Sequence, residues 1–152
     1  DDDVGRDLAC RAEGRDVVGE SLGWAREHMA HAPVLIYSTA EAGAVKAVQQ
    51  RLGVQQAGEM VERCLAAIAC GLVELGVGQL IVAGGETSGA CVQALGIKSM
   101  QIGPQIDPGV PWCHAHGTVA SGGLHIALKS GNFGTADFFA KAFAMLAAAP
   151  TR

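Results

Sequence analysis

Short apolar runs alternate with longer stretches of helical periodicity along this chain. Val34-Leu35-Ile36-Tyr37, Leu80-Ile81-Val82-Ala83 and Leu124-His125-Ile126-Ala127-Leu128 are runs bounded by Pro or Gly. Unbroken runs of this length predict strands buried on both faces. Lys98-Ser99-Met100-Gln101-Ile102 predicts a further strand. Between them, Val17, Val18, Ser21, Leu22, Trp24, Ala25, His28 and Met29 recur at three- and four-residue spacing, which predicts a helix over 16–31 ended by Pro33. A short helix is expected over 42–52, closed by Gly53. The longest amphipathic element runs over 56–75, with Met60, Val61, Cys64, Leu65, Ile68, Leu72 and Leu75 on one stripe and Glu59 and Arg63 placed to pair across one turn. Strands near 34–38, 79–83, 98–102 and 124–129 thus alternate with helices. That order predicts an α/β fold: a three-layer α/β/α sandwich with a largely parallel sheet.

Two of the predicted strands run directly into glycine turns. Leu80-Ile81-Val82-Ala83 is followed by Gly84-Gly85-Glu86-Thr87-Ser88, then by the helix-like Gly89-Ala90-Cys91-Val92-Gln93-Ala94-Leu95, with Thr87 or Ser88 as its expected N-cap. Leu124–Leu128 leads into Lys129-Ser130-Gly131-Asn132-Phe133-Gly134, and helical character resumes over 135–143. Helix N-termini offer free amides to an anion, and glycine lets the backbone approach it. Each turn alone reads equally as an ordinary strand-to-helix connection that needs glycine for its dihedrals. In open α/β sheets, ligands bind beyond the carboxyl ends of strands. On neighbouring strands, two such turns would set amides, hydroxyls and the Lys129 ammonium around one crevice. Neither matches the Gly-Lys-Ser/Thr phosphate loop or Gly-x-Gly-x-x-Gly, which counts against an NAD-dependent oxidoreductase.

Residues 103–123 form a long stretch in which Pro104, Pro108 and Pro111 predict irregular structure. Asp107-Pro108-Gly109 reads as a turn whose carboxylate bonds local amides. Ser38-Thr39-Ala40 could touch a ligand, but Ser38 or Thr39 is expected only to cap the helix that follows. Cys113-His114-Ala115-His116 supplies only part of a zinc shell with no second ligand cluster, so no metal site is expected there. His125 reads as a packed or edge histidine.

Composition narrows the classes. With 49% hydrophobic and 17% charged residues in 152, the chain is globular rather than disordered. A net charge of −4 argues against a nucleic-acid surface. No apolar run has the length of a membrane span. The 5 cysteines show no Cys-x-x-Cys pair, which fits reduced thiols and a cytoplasmic setting. Residues 1–15 are polar and read as a connecting segment, with 16–152 as one domain.

Gly84-Gly85-Glu86-Thr87-Ser88-Gly89-Ala90, Ile106-Asp107-Pro108-Gly109-Val110-Pro111-Trp112 and Leu128-Lys129-Ser130-Gly131-Asn132-Phe133-Gly134 occur in this order. Together they resemble the C-terminal nucleotide-binding half of the four-carbon acid sugar kinases, which act on 3-oxo-tetronate, threonate or erythronate. The resemblance covers most of the chain. It implies ATP with Mg²⁺ as cofactor, and ATP contacts at Gly84, Gly85, Glu86, Thr87 and Gly131. The chemistry of the turns adds Ser88, Lys129, Ser130 and Asn132. Glu86 beside phosphates needs Mg²⁺ or a ribose hydroxyl as its partner. No residue stands out as the base for the acceptor hydroxyl. The resemblance also implies that the chain is a fragment of a two-domain kinase whose N-terminal domain holds the sugar acid, leaving the isolated fragment inactive. A homo-oligomer stays open, as does a non-catalytic module that binds a nucleotide or phosphorylated metabolite.

Overall fold

The computed structural model describes residues 16–38, 49–50 and 53–147. The chain divides after Leu75 into two compact units. The first 15 residues, most of the predicted 42–52 helix, and Thr39 with its expected capping role lie outside the described residues.

In the first unit, helix α1 spans Val17–His28 and helix α2 spans Val54–Glu74. Asp16 caps α1, accepting a hydrogen bond from the Gly19 amide at 3.0 Å. Its buried residues Val17, Ser21 and Ala25 follow the four-residue spacing of one face. Leu22 sits so close to Gly71 of α2 that a Cβ there would lie 2.5 Å from its Cδ1. The α2 stripe is buried at Cys64, Ile68 and Leu72 and filled out by Ala57, Ala66 and Ala69. Glu59 takes a hydrogen bond from Gln55 at 3.0 Å rather than from the expected Arg63. The strand expected at 34–38 is not formed: the segment has no regular secondary structure, and Leu35 is 51% exposed. Apolar composition favours a strand, but only a bonded neighbour makes one, and none pairs with it among the described residues.

The second unit holds β1 (Gln79–Ala83), α3 (Gly85–Ala94), β2 (Ser99–Asp107), β3 (Val110–His116), β4 (Leu124–Lys129) and α4 (Phe138–Ala147). The strands form one sheet in the order β1-β4-β3-β2. Only β1 and β4 pair in parallel; β4–β3 and β3–β2 are antiparallel. The sheet is therefore mixed, which overturns the expectation of a largely parallel one. The cause lies in 103–123, expected to be irregular, where β2 and β3 form a hairpin around Pro108-Gly109. Prolines are tolerated on edge strands and at bulges. Here Pro104 lies on the edge strand β2 within the register shift between Ile102 and Gln105, and Pro111 pairs with Gln105, between that shift and the next.

The core of this unit gathers Ile106, Val110, Trp112, Ala127, Phe138 and Ala142. The Trp112 indole N–H is satisfied inside it, donating to the Ala142 carbonyl at 2.9 Å. From the pairing directions, β1, β4 and β2 run the same way. Their carboxyl ends, and the turns that follow, meet at one edge of the sheet.

Candidate nucleotide site

At that edge, Ala83 is the register partner of Lys129. One residue on, the Gly84 amide donates to the Lys129 carbonyl at 2.8 Å. Both glycine turns therefore leave the sheet side by side. Gly84 has φ 114°, a conformation that only glycine adopts without strain, and it is the N-cap of α3. The Ser88 amide makes the helix bond back to the Gly84 carbonyl at 2.9 Å. Thr87 and Ser88, expected as caps, thus lie inside the first turn. The glycine dihedral bends the chain three residues earlier than hydroxyl chemistry suggested. The Ser88 hydroxyl is buried and faces the Val82 carbonyl at 3.5 Å. Thr87 folds over Gly84, its Oγ1 3.3 Å from where a Cβ would sit. No side chain caps this helix end. The amides of Gly85, Glu86 and Thr87 belong to the first turn, where a helix has no acceptor of its own.

The second turn is held from within. The Lys129 ammonium donates to the Gly131 carbonyl at 2.8 Å and to the Ser130 carbonyl at 3.4 Å. The Phe133 amide closes the turn on the Ser130 carbonyl at 3.1 Å. Ser130, Gly131 and Asn132 are exposed. A Cβ added at Gly85 or at Gly131 would meet nothing within 4 Å. Space lies open over both turns, and neither glycine has a positive φ. The hairpin turn joins the same edge, with the Phe133 ring 3.1 Å from the position a Cβ would take on Gly109.

Asp107, at the end of β2, ties these pieces together. It is 6% exposed. Its Oδ2 accepts from the Thr135 amide at 2.9 Å and faces the Thr135 hydroxyl at 3.0 Å, while Oδ1 pairs with the Lys141 ammonium. The carboxylate was expected to bond amides of its own turn; its amide partner lies 28 residues on. The Thr135 hydroxyl also lies 2.6 Å from Asp137 Oδ1 and 3.1 Å from Lys141 Nζ. Its single proton serves one carboxylate at a time. The Lys141 hydrogen bond, then that of the Thr135 amide, holds the Asp107 carboxyl below the usual carboxylate range, against the opposing effect of desolvation. The Thr135 hydroxyl does the same for Asp137. Sequence inspection missed Thr135, Asp137 and Lys141, because nothing in local spacing connects them with Asp107.

Cys113, His114 and His116 do not converge as a run. Strand alternation sends Cys113 to the opposite face from the two histidines. His125, paired with His114 across β3 and β4, packs its ring 5.0 Å from that of His114, and His116 lies 4.8 Å from His114. Among the described residues no group of His, Cys, Asp or Glu is arranged to hold a metal ion. Among them too, no helix is long and apolar enough to cross a membrane.

A mixed α/β sheet with two glycine turns side by side at the carboxyl ends of β1 and β4, one of them opening a helix with no side-chain cap, defines the class: an α/β domain. The chain belongs to the family of the nucleotide-binding C-terminal domain, whose pattern it matches over residues 3–139. It is 60% identical over 140 residues to a 3-oxo-tetronate kinase of Burkholderia multivorans, a match covering 92% of this chain and 32% of that protein. A 3-oxo-tetronate kinase of Pseudomonas savastanoi pv. phaseolicola is 56% identical, covering 91% and 31%. The chain thus spans about a third of the length of these relatives. Among solved structures, a Haemophilus influenzae protein superposes with a TM-score of 0.76 at 37% identity, over 93% of this chain and 34% of that one. A Bordetella bronchiseptica protein, crystallised with citrate as a domain swapped dimer, shares the fold at 22% identity and TM-score 0.60, over 91% and 33% of the two chains.

Proposed function

We propose that this chain is the ATP-binding domain of a kinase that phosphorylates a four-carbon sugar acid, with 3-oxo-tetronate as the acceptor. The observation that carries this reading is the Gly84–Lys129 junction, which brings two glycine turns together under open space. The relatives' shared activity supplies the acceptor. On this reading the amides of Gly85, Glu86 and Thr87 and the turn at Ser130, Gly131 and Asn132 hold the phosphates. Gly84 and Ser88 shape the first turn, and Lys129 stiffens the second while lending positive charge. The open space at Gly85 and Gly131 fits a phosphate chain approaching the backbone. Glu86 would offer a carboxylate to Mg²⁺, which would supply neutralisation of the charge developing in phosphoryl transfer. These residues bind and orient; the acceptor site and any base for its hydroxyl belong to a part of the protein outside this chain. α3 and α4 on opposite faces of the sheet would complete a three-layer sandwich, and a cytoplasmic location suits an ATP-dependent enzyme.

The test is a calorimetric titration with ATP, ADP and NAD⁺, with and without Mg²⁺. Binding of ATP and ADP but not NAD⁺ is expected. An ADP-release assay with 3-oxo-tetronate, threonate and erythronate follows, on this chain alone and combined with the N-terminal region of a relative. Turnover is expected only in the combination; turnover by the chain alone would place the acceptor site here instead. Absence of nucleotide binding would refute the assignment.

A further inference from the structure

We infer that Asp107 is a positioning residue for nucleotide binding, acting through Thr135 to hold the Ser130–Gly134 turn in its binding shape. This rests on the reading of that turn as part of an ATP site. Asp107 is buried, and it lies at the end of β2, on the β2–β3 hairpin rather than in either glycine turn. What it grips is the far end of the second turn. Lys129 braces the near end, through the Ser130 and Gly131 carbonyls. Asp107 fixes the far end, through the Thr135 amide at 2.9 Å and its hydroxyl at 3.0 Å. Lys141, on the first turn of α4, sits on the other carboxylate oxygen and reaches the Thr135 hydroxyl at 3.1 Å.

Between these anchors the turn is closed by the Phe133 amide on the Ser130 carbonyl. Ser130, Gly131 and Asn132 are solvent-facing, and glycine carries the largest backbone entropy to lose on ordering. A loop that must be ordered when ligand arrives binds more weakly than one already in place. The Asp107 clamp supplies that order beforehand, and its near-complete burial keeps water from competing for its hydrogen bonds. Without it, the free turn should sample many shapes, and affinity should fall by the fraction of time it spends in the competent one.

The experiment measures Mg·ATP affinity by calorimetry, and ligand-free hydrogen exchange at the amides of 130–135 and 85–95. It compares the intact protein with Asp107→Ala, Asp107→Asn, Thr135→Val, Thr135→Ser and, as a control on the first turn, Gly85→Val. Loss of the clamp should weaken binding about tenfold or more in Asp107→Ala, in line with losing charge-assisted hydrogen bonds. Exchange should rise at 130–135 while 85–95 stays protected, a selectivity that general destabilisation would not produce. Thr135→Ser, which keeps the hydroxyl, should restore most of the affinity lost in Thr135→Val. If Asp107→Ala fails to fold, Asp107→Asn and the Thr135 pair decide the matter by the same two readouts. If Gly85→Val abolishes binding while the folded clamp variants bind within about twofold of the intact protein, the inference is overturned and the ATP site stands. If the intact protein binds no nucleotide, both fall together.

Discussion

The Gly84 amide donates to the Lys129 carbonyl at 2.8 Å, one step beyond the last parallel pair of β1 and β4. This bond extends the ladder one residue past β1, at the last residue of β4, and makes two distant glycine turns into neighbours. Gly84 itself needs a positive φ, while Gly85 and Gly131 do not. The turns therefore separate into a glycine required by the backbone and glycines that leave room above it.

Gly85→Val should leave the fold intact and disable nucleotide binding. The position has helical dihedrals and open space, so the protein tolerates the side chain, while a phosphate close to the amides would not. Losing two charge-assisted hydrogen bonds at about 1.5–3 kcal/mol each weakens binding about 100-fold or more. Calorimetric ATP titration together with a thermal melt checks both halves; unchanged affinity in a folded variant removes this turn from the site.

Gly131→Val should behave in the same way, from the adjacent strand. Its added side chain also meets no protein atom. A melting temperature near that of the parent with ATP binding lost is the expected pair of results. Intact binding would confine the site to the first turn.

Gly84→Ala should instead cost stability. A Cβ at φ 114° is strained, by about 1–3 kcal/mol, and would press on Thr87 Oγ1. Urea denaturation should show a lowered midpoint with an unchanged slope. No loss of stability would mean that the turn relaxes to another conformation.

Trp112→Phe should destabilise the second unit by about 2–3 kcal/mol, from the vacated volume and the lost bond to the Ala142 carbonyl. Denaturation followed by far-ultraviolet circular dichroism measures this directly. A cost under about 0.5 kcal/mol would show that neighbouring side chains collapse into the space.

Acid should selectively weaken the Asp107 clamp. The Asp107 carboxyl is held below its ordinary value in the folded chain, first by Lys141 and then by the Thr135 amide. A depressed folded pKa contributes stability above the unfolded pKa, near 4, and loses it as pH falls through the lower folded value. The stability difference between the parent and Asp107→Asn should thus be constant from about pH 7 to 5 and shrink below about 4. A difference that persists at lower pH would assign the effect to packing rather than charge.

Local chemistry made most elements of this protein legible. The α2 stripe, the α1 period, the β1 and β4 runs and both glycine turns can be found because each depends on neighbours a few residues away. The ordered glycine and Asp-Pro-Gly motifs made the family legible too, since each packs several constraints into seven residues. The 34–38 run was misleading for the opposite reason: a strand requires a partner that composition does not name.

What the sequence alone determined is therefore helices α1 and α2, strands β1 and β4, the two glycine turns and the family; the existence of β3 was not among them. The direction of β3, the mixed sheet, and the junction of Gly84 with Lys129 were decided only by tertiary structure. So was the grip of Asp107 on Thr135 and Lys141, 28 and 34 residues away. Periodicity reports which face of an element is apolar and where it turns. Pairing between strands and closure of a buried carboxylate depend on which distant groups share space, and that is fixed by the free energy of the whole packed unit.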